Sequence, residues 1–240
     1  MASQDMPQPT PAHSAAASAQ PATSDFIIDL TVNGLPVAAH FPAEKLTHCL
    51  LPLVQKIVTT HPKLVLLAGP PGSGKSTLSL VIEALARQAG YHLQALGMDG
   101  FHHTNAWLAA HHLSQVKGAP ETFDFDALAA ALKARDRWPV YSRRLHDVSP
   151  HTIPVTGDTL LVEGNYLLYD AHPWCTLAPL ADLTIFLDAE KPLLRHRLIQ
   201  RKMDGGLSQE EAEQFYQRSD ARNVDLVLDH HLPADITLQL

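Results

Sequence analysis

The sequence predicts an α/β fold in which helices cover both faces of a doubly wound, mostly parallel sheet. Short apolar runs at 64–68, 159–162 and 183–187 are typical of strands that are buried on both faces of a parallel sheet. Stretches with apolar residues at helical spacing follow these runs, so strands and helices alternate along the chain. With 240 residues, of which 45% are hydrophobic, the chain can bury one large core.

The chain divides into three predicted parts. Residues 1–25 are rich in Ala, Ser, Pro, Gln and Thr, a composition that favours a flexible tail. Residues 26–62 are expected to form an N-terminal β-hairpin and a helix. Residues 63–240 are expected to form the catalytic domain, with a small lid near 195–207.

The N-terminal addition is predicted from its turn and its apolar spacing. Two β-rich runs flank Asn33-Gly34, which predicts a hairpin over residues 26–41. Apolar residues recur at helical spacing over residues 44–59, which predicts a helix that kinks at Pro52. We expect His61-Pro62 to end this helix.

The catalytic domain is predicted to begin with a strand, a helix and a second parallel strand. The first strand, 64–68, stops in glycines, and an apolar stripe from Leu78 to Ala89 then predicts a helix that stops at Gly90. The run Leu93 to Leu96 is the next strand, which we expect beside the first. Further helices are predicted near 125–134, 192–202 and 209–221.

The segment 69–76 reads Gly-Pro-Pro-Gly-Ser-Gly-Lys-Ser and matches the phosphate-binding pattern G-x-x-x-x-G-K-[ST] between a strand and a helix. Backbone N–H groups of such a loop enclose phosphates, Lys75 would reach the β and γ oxygens, and the Ser76 hydroxyl would hold Mg²⁺. We therefore expect ATP and Mg²⁺ as ligands; an accidental glycine-rich turn is the alternative. The residues predicted to bind the nucleotide are Gly69, Pro70, Pro71, Gly72, Ser73, Gly74, Lys75, Ser76 and Thr77.

Two carboxylates follow predicted strands at the edge of the sheet where ligands bind. Asp99 comes after the second strand and could accept the proton of an acceptor hydroxyl during phosphoryl transfer. Its alternative role is to cap a turn at Gly100. Glu163 ends the run Leu161-Val162 and could hold the magnesium shell, or it could be a solvated residue at the rim of the sheet.

A cationic helix near residues 194–202 is followed by the hinge-like Asp204-Gly205-Gly206. This pattern predicts a lid whose arginines, Arg201 in particular, close over the transferring phosphoryl group and exclude water. A solvated basic helix face is the alternative.

Several ordered blocks resemble the phosphoribulokinase/uridine kinase group of P-loop kinases, and most closely the bacterial-type pantothenate kinases. The resemblance runs from about Leu64 to Val227. It implies that Asp99 is the catalytic base and that Glu163 supports magnesium. Beyond the phosphate-binding segment, the matching blocks are 98–105 (MDGFHHTN), 117–124 (KGAPETFD), 139–147 (PVYSRRLHD) and 161–164 (LVEG).

The same resemblance implies an acceptor site built from the block at 98–105, the block at 117–124 and the block at 139–147. One residue departs from the pattern, because Arg143 stands where pantothenate kinases place a histidine used in acceptor binding. An arginine would suit a carboxylate or phosphate on the acceptor. The predicted acceptor residues are Phe101, His102, Asn105, Lys117, Phe123, Tyr141, Arg143 and Arg144.

The sequence thus favours an ATP-dependent kinase acting on a small hydroxylated metabolite such as a sugar, sugar acid, nucleoside or pantothenate-like compound. The rival interpretation is a nucleotide-dependent regulatory or chaperone-like ATPase with a protein partner. A net charge of -7 argues against nucleic acid, and the chain has no apolar run long enough to cross a membrane. Two distant cysteines indicate a reducing, cytoplasmic location, and a homodimer is the commonest assembly to expect.

Overall fold

The structure, a computed structural model, describes residues 24–32 and 34–239. Most of the predicted tail over residues 1–25, and the turn residue Asn33, lie outside the described residues. Asp25 is within them, and its carboxylate accepts hydrogen bonds from His40 Nε2 (2.7 Å) and from the backbone N–H of Ala43 (3.0 Å). Both contacts join the start of the first strand to the end of the predicted hairpin.

Strands and helices alternate along most of the described chain. The strands are β1 Phe26–Val32, β2 Leu35–Phe41, β3 Leu64–Ala68, β4 Leu93–Gly97, β5 Arg137–Ser142, β6 Asp147–Pro154, β7 Thr159–Gly164, β8 Leu183–Asp188 and β9 Ile236–Gln239. The α-helices are α1 Ala43–Lys45, α2 Leu51–Thr60, α3 Lys75–Gln88, α4 Asn105–Ala110, α5 Phe125–Ala134, α6 Lys191–Asp204, α7 Gln209–Phe215 and α8 Ala221–Asp229.

The main sheet is parallel and has the strand order β4-β7-β3-β8-β9. This order corrects one expectation, because β7 and not β4 lies beside β3. Strand β7 is buried at every position and takes an inner place, whereas β4 has half-exposed residues such as Gln94 and forms an edge. The strand that carries Glu163 is therefore the neighbour of the phosphate-binding strand, and Asp99 follows a strand one place further away.

Helices cover both faces of this sheet, as predicted. Along β3, Val65 and Leu67 face a core that includes α2 and α3, and Leu64 and Leu66 face a second core that includes α5. Alternating side chains of one buried strand thus serve two layers of helices, which explains why the strand is apolar at every position.

The N-terminal hairpin is present, with β1 antiparallel to β2 and Phe26 opposite Phe41. Its partly buried apolar residues pack on the same core as α2 and α3, so residues 26–62 extend the main core. In the helix that follows, a π turn, Leu46–Leu50, stands directly before Pro52 at the place of the predicted kink. His61 ends the helix in the left-handed conformation (φ 50°).

The prediction was incomplete in the second half of the chain. It did not find the antiparallel hairpin β5–β6, in which prolines at 139, 150 and 154 obscure the strand pattern. It also missed β9 and, earlier in the chain, the short helix α4. The helix predicted near 209–221 continues through a π turn, Tyr216–Asp220, and then through α8 to Asp229. Among the described residues no helix combines the length and apolarity needed to span a membrane.

Candidate active site

The phosphate-binding loop joins the end of β3 to Lys75, the first residue of α3, and is packed too tightly to admit side chains at its first glycines. A Cβ atom on Gly69 would lie 2.5 Å from the carbonyl oxygen of Leu187 on β8. A Cβ on Gly72 would lie 3.0 Å from Leu198 on α6, and Gly72 also has a positive φ of 83°. The sequence keeps glycine here because the backbone itself must form the concave surface.

Lys75 is buried at the base of this loop. Its ammonium group donates a hydrogen bond to the carbonyl oxygen of Pro70 (2.9 Å). Burial lowers the pKa of Lys75 to about 8, and the negative charges of Glu163 and Asp99 oppose this shift. Within residues 24–32 and 34–239 Lys75 forms no ion pair, so it is a buried cation whose surroundings suit an anionic ligand.

Ser76 and Glu163 meet beside the loop because β7 lies next to β3. The Ser76 hydroxyl donates a hydrogen bond to Glu163 Oε1 (2.7 Å). Glu163 is itself buried, and this burial raises its pKa against the opposing effect of Lys75. A hydroxyl and a carboxylate are hard oxygen ligands of the kind that Mg²⁺ accepts together with phosphate oxygens and water.

The residues of the loop fit a nucleotide and its metal ion. The buried Oγ atom of Ser73 has no hydrogen-bond partner among the residues that the structure covers, so the loop keeps an unused polar group. Among the described residues no group of three or more His, Cys, Asp or Glu side chains could hold a metal ion alone. A magnesium ion at Ser76 and Glu163 would therefore depend on phosphate oxygens to complete its shell.

Asp99 lies in a 3₁₀ turn, Met98–Phe101, directly after β4. It is half-buried, and its charge acts on Lys75, Glu163 and Tyr141. A cavity of about 140 Å³ is lined by Asp99 and by parts of β4 and β5, including Tyr141, with Ile153 of β6. The charge of Asp99 reaches the lysine of the phosphate-binding loop although its strand is not the loop's neighbour.

His102 is held between the Asp99 turn and two aromatic rings. Its Nδ1 lies 2.9 Å from the carbonyl oxygen of Asp99, so this nitrogen donates the hydrogen bond. The ring centroid lies 3.8 Å from that of Phe123 and 5.3 Å from that of Tyr141. Burial lowers the pKa of His102, which favours the neutral imidazole with its proton on Nδ1.

Lys117 joins three segments of the predicted acceptor site. Its Nζ donates hydrogen bonds to Asn105 Oδ1 (2.6 Å) and to the carbonyl oxygen of His146 (2.6 Å). Asn105 also donates from its side chain to His146 O (3.0 Å) and from its backbone to Asp147 Oδ1 (3.1 Å). Lys117 lies 5.2 Å from the ring centroid of Tyr141. This network fixes the turn of the β5–β6 hairpin against α4.

The two arginines of this turn have different surroundings. Arg143 is half-buried, and its charge acts on Lys75, Glu163 and Arg201. Arg144 is exposed. The structure therefore brings Arg143 towards the phosphate-binding loop, whereas Arg144 is on the outside of the hairpin turn.

The arginines of the predicted lid also have different neighbours. Arg197 donates from one guanidinium nitrogen to the carbonyl oxygen of Ser73 (3.2 Å), so it packs on the loop itself. Arg195 forms an exposed ion pair with Glu213 (3.7 Å). Arg201 is the arginine whose charge acts on both Lys75 and Asp99.

A buried Lys and Ser of a phosphate-binding loop, with carboxylates at the ends of two neighbouring strands, correspond to a known family. The sequence model of the "Phosphoribulokinase / Uridine kinase family" matches residues 64–239. The chain belongs to this family. Its fold and phosphate-binding loop are those of a P-loop kinase, as the sequence indicated.

The similar proteins match this chain over different lengths. The Escherichia coli (strain K12) protein YggC is 42% identical over 225 residues, which cover 89% of this chain and 95% of YggC. A pantothenate kinase of Rhodopseudomonas palustris (strain BisB5) is 32% identical over 58% of this chain and 49% of its own length. A solved structure titled putative fructose transport system kinase, from Silicibacter sp. TM1040, has 34% identity and a TM-score of 0.73, with coverage of 79% of this chain and 98% of the other.

The predicted acceptor residues differ in how deeply they are buried. Phe101 and Phe123 are almost fully buried, and Phe101 packs edge-on against Trp138 at 4.9 Å. His102, Lys117 and the aromatic ring at 141 are partly accessible above them. Thr77 is half-buried on the first turn of α3. The two phenylalanines are therefore core residues, which leaves the partly accessible side chains to contact a ligand.

Several residues of the site had no assigned role in the sequence. Trp138 donates from Nε1 to the carbonyl oxygen of Gly97 (2.8 Å) and so ties β5 to the end of β4. Asp147 anchors the first residue of α4, and Asp220 is a buried acid opposite the lid arginine. Asp147 could have been found because it closes the block at 139–147. No short motif marks the other two.

Proposed function

We propose that this family member is an ATP-dependent kinase that transfers the γ-phosphoryl group to a hydroxyl of a small metabolite. The observation that carries the proposal is the convergence of Lys75, Glu163 and Asp99 from three separate segments at one end of the sheet. A nucleotide-dependent switch also needs Lys75 to bind the nucleotide and Glu163 to hold the metal ion. A carboxylate opposite the phosphates has its simplest use in accepting a proton from an acceptor.

In this proposal the donor side binds and orients phosphate. Backbone N–H groups of residues 69–76 and the ammonium of Lys75 hold the β and γ phosphates of ATP. Ser76 and Glu163 hold Mg²⁺, which would supply positive charge against the phosphate oxygens. Arg201, on α6, offsets the charge of the transferring phosphoryl group.

On the acceptor side, Asp99 takes the proton of the attacking hydroxyl while the oxygen forms its bond to phosphorus and the bond to ADP breaks. Tyr141 and His102 lie beside Asp99, and the Lys117 network holds the hairpin that carries Tyr141 in place. Closure of the lid would exclude water, which would otherwise take the phosphoryl group.

We further propose that the acceptor carries a carboxylate or a phosphate group. Arg143 projects from the acceptor-side hairpin, and Arg201 is a like charge nearby. In the described part of the chain Arg143 forms no ion pair. Like charges that converge without a carboxylate between them favour an anionic ligand, and a planar guanidinium binds such groups bidentately.

The test is ADP release by the purified protein with a panel of acceptors. The panel pairs sugar acids and sugar phosphates with the corresponding neutral sugars, and adds nucleosides. It also includes fructose and pantothenate, because these names occur among the similar proteins. Metabolite-dependent turnover is expected, with anionic members preferred. Stimulation by a protein partner alone would instead support the regulatory ATPase.

A further inference from the structure

Asp220, an acidic residue in the segment that follows the lid, is buried and has no role in the mechanism proposed above. Asp220 is the last residue of the π turn that joins α7 to α8, and only 8% of its surface is exposed. Its buried Oδ2 atom has no hydrogen-bond partner in the part of the chain that the structure describes. Buried polar groups are nearly always satisfied, and single π turns are frequent at functional sites. An unsatisfied carboxylate at such a turn therefore calls for a partner that this arrangement of side chains does not supply.

Two cations in the last turn of α6, Lys202 and Arg201, act on the charge of Asp220. Burial raises the pKa of Asp220, and Lys202 and Arg201 act in the opposite direction. Neither cation forms an ion pair with it within the described ranges. The ammonium of Lys202 instead lies 3.5 Å from the ring centroid of Phe215. Of these two cations, Arg201 is the one for which the described part of the chain shows neither an ion pair nor a ring contact.

Arg201 has charged neighbours of both signs. Asp220 and Asp99 are negative charges that act on Arg201, and the charge of Arg201 in turn acts on Lys75. Arg143 is a like charge next to it. A guanidinium has five N–H donors in a planar fork, so it can hold a carboxylate and a phosphoryl oxygen at the same time. An anion between the two arginines would remove their repulsion and leave Arg201 able to pair with the acid.

We propose that Asp220 is a positioning residue for Arg201, whose guanidinium it holds against the transferring phosphoryl group once nucleotide is bound. This inference rests on the proposed function of Arg201. Asp220 touches no reacting atom; it accepts a hydrogen bond from the guanidinium and so fixes the direction of the remaining N–H groups. Arg201 is exposed and Asp220 is buried, and the elements that carry them pack together, since Ile199 of α6 shares a small core with Tyr216 of the π turn and Val224 of α8.

The experiment compares wild type, Asp220→Asn, Arg201→Gln and the double variant. Calorimetry measures the affinity for MgADP alone and for MgADP with aluminium fluoride, which mimics a phosphoryl group in transfer. We expect Asp220→Asn to lower the gain from aluminium fluoride about tenfold, the usual scale for a charge-assisted hydrogen bond. Affinity for MgADP alone should stay within about twofold, because Asp220 acts only through Arg201. The double variant should be no weaker than Arg201→Gln alone.

Stability distinguishes a positioning role from a structural one. Replacing a buried, unpaired carboxylate by its neutral isostere should leave the thermal midpoint unchanged or raise it by about a few degrees. The matched control is Asp225→Asn on α8, an exposed acid that pairs with Lys191 at 2.7 Å, and it should behave as wild type. Retained MgADP binding shows that each variant is folded.

The inference is overturned if Asp220→Asn keeps the full aluminium fluoride gain, if the two substitutions act independently, or if wild type shows no such gain. An Asp220→Asn effect that persists in Arg201→Gln but vanishes in Lys202→Gln would transfer the role to the lysine and also overturn it. Failure of the kinase proposal would be seen in a different experiment, because that proposal is tested by metabolite-dependent ADP release and not by these affinities.

Discussion

The donor side and the acceptor side of this site are built in different ways. The donor side is one continuous loop between β3 and α3, completed by Glu163 on the adjacent strand. The acceptor side is assembled from α4, the segment at Lys117 and the turn of β5–β6, which are joined by hydrogen bonds between side chains and backbone. Local sequence determines the first, and contacts between distant segments determine the second.

This difference teaches which part of the site can change without loss of the rest. The phosphate-binding loop has no room for a side chain at Gly69, and its lysine is buried, so it must be kept as a unit. Trp138 attaches the acceptor hairpin to the edge strand β4, and Lys117 attaches its turn to α4. A hairpin attached by a few side chains can change its turn residues, Arg143 among them, while the donor side stays intact.

The largest effect that separates the two sides is expected for Asp99→Asn. The variant keeps the shape of the side chain but cannot accept the proton of the acceptor hydroxyl. Turnover should fall about a hundredfold or more, the usual scale for a general base, and the Kd for MgATP should change less than about twofold. Steady-state ADP release and calorimetry provide the two numbers. Asp136→Asn, at an exposed position, is the control, and unchanged turnover in Asp99→Asn would remove Asp99 from the mechanism.

Arg143→Gln should affect the choice of acceptor alone. If the guanidinium binds an anionic group of the acceptor, kcat/KM for the best anionic acceptor should fall about thirtyfold, as for the loss of a charge-assisted hydrogen-bonded pair. The paired neutral acceptor should change little. Arg144→Gln is a matched control, because the neighbouring arginine is exposed on the same turn. An equal loss with both acceptors would instead place Arg143 on the transferring phosphoryl group.

The sequence predicted the donor side more completely than the acceptor side. The phosphate-binding loop, its strand and its helix were predictable because glycine geometry, an apolar run and a helical stripe are all local. The place of β4 was wrong, because neighbouring order in a sheet depends on which strand is buried most deeply. Hairpin β5–β6 was missed because its prolines hide the alternation of an edge strand. Asp220 could not be found, since its isolation is a property of packing.

The pH dependence of nucleotide binding tests the donor side. Burial gives Lys75 a pKa of about 8 in the free protein, and the charge of ATP raises that pKa in the complex, so the protonated form is the one that binds. The Kd for MgATP should be constant well below pH 8 and, as the pH rises through 8, increase towards a limit of about tenfold per pH unit. Lys75→Arg, which does not titrate in this range, should give a flat profile. A flat profile for wild type would contradict the low pKa.

The smallest effect is expected for Lys117→Met, which tests whether the hydrogen-bonded network defines the acceptor side. Methionine keeps most of the side-chain volume but removes the donors to Asn105 and to the carbonyl oxygen of His146. Because the lysine is partly accessible, the loss should correspond to about one hydrogen bond, and the KM for the acceptor should rise about fivefold. The KM for ATP should not change, since no donor-side group depends on this network. Lys133→Met, exposed at the end of α5, is the control. A rise in both KM values would mean that the hairpin and the phosphate-binding loop are coupled, and the acceptor side could then not vary independently of the donor side.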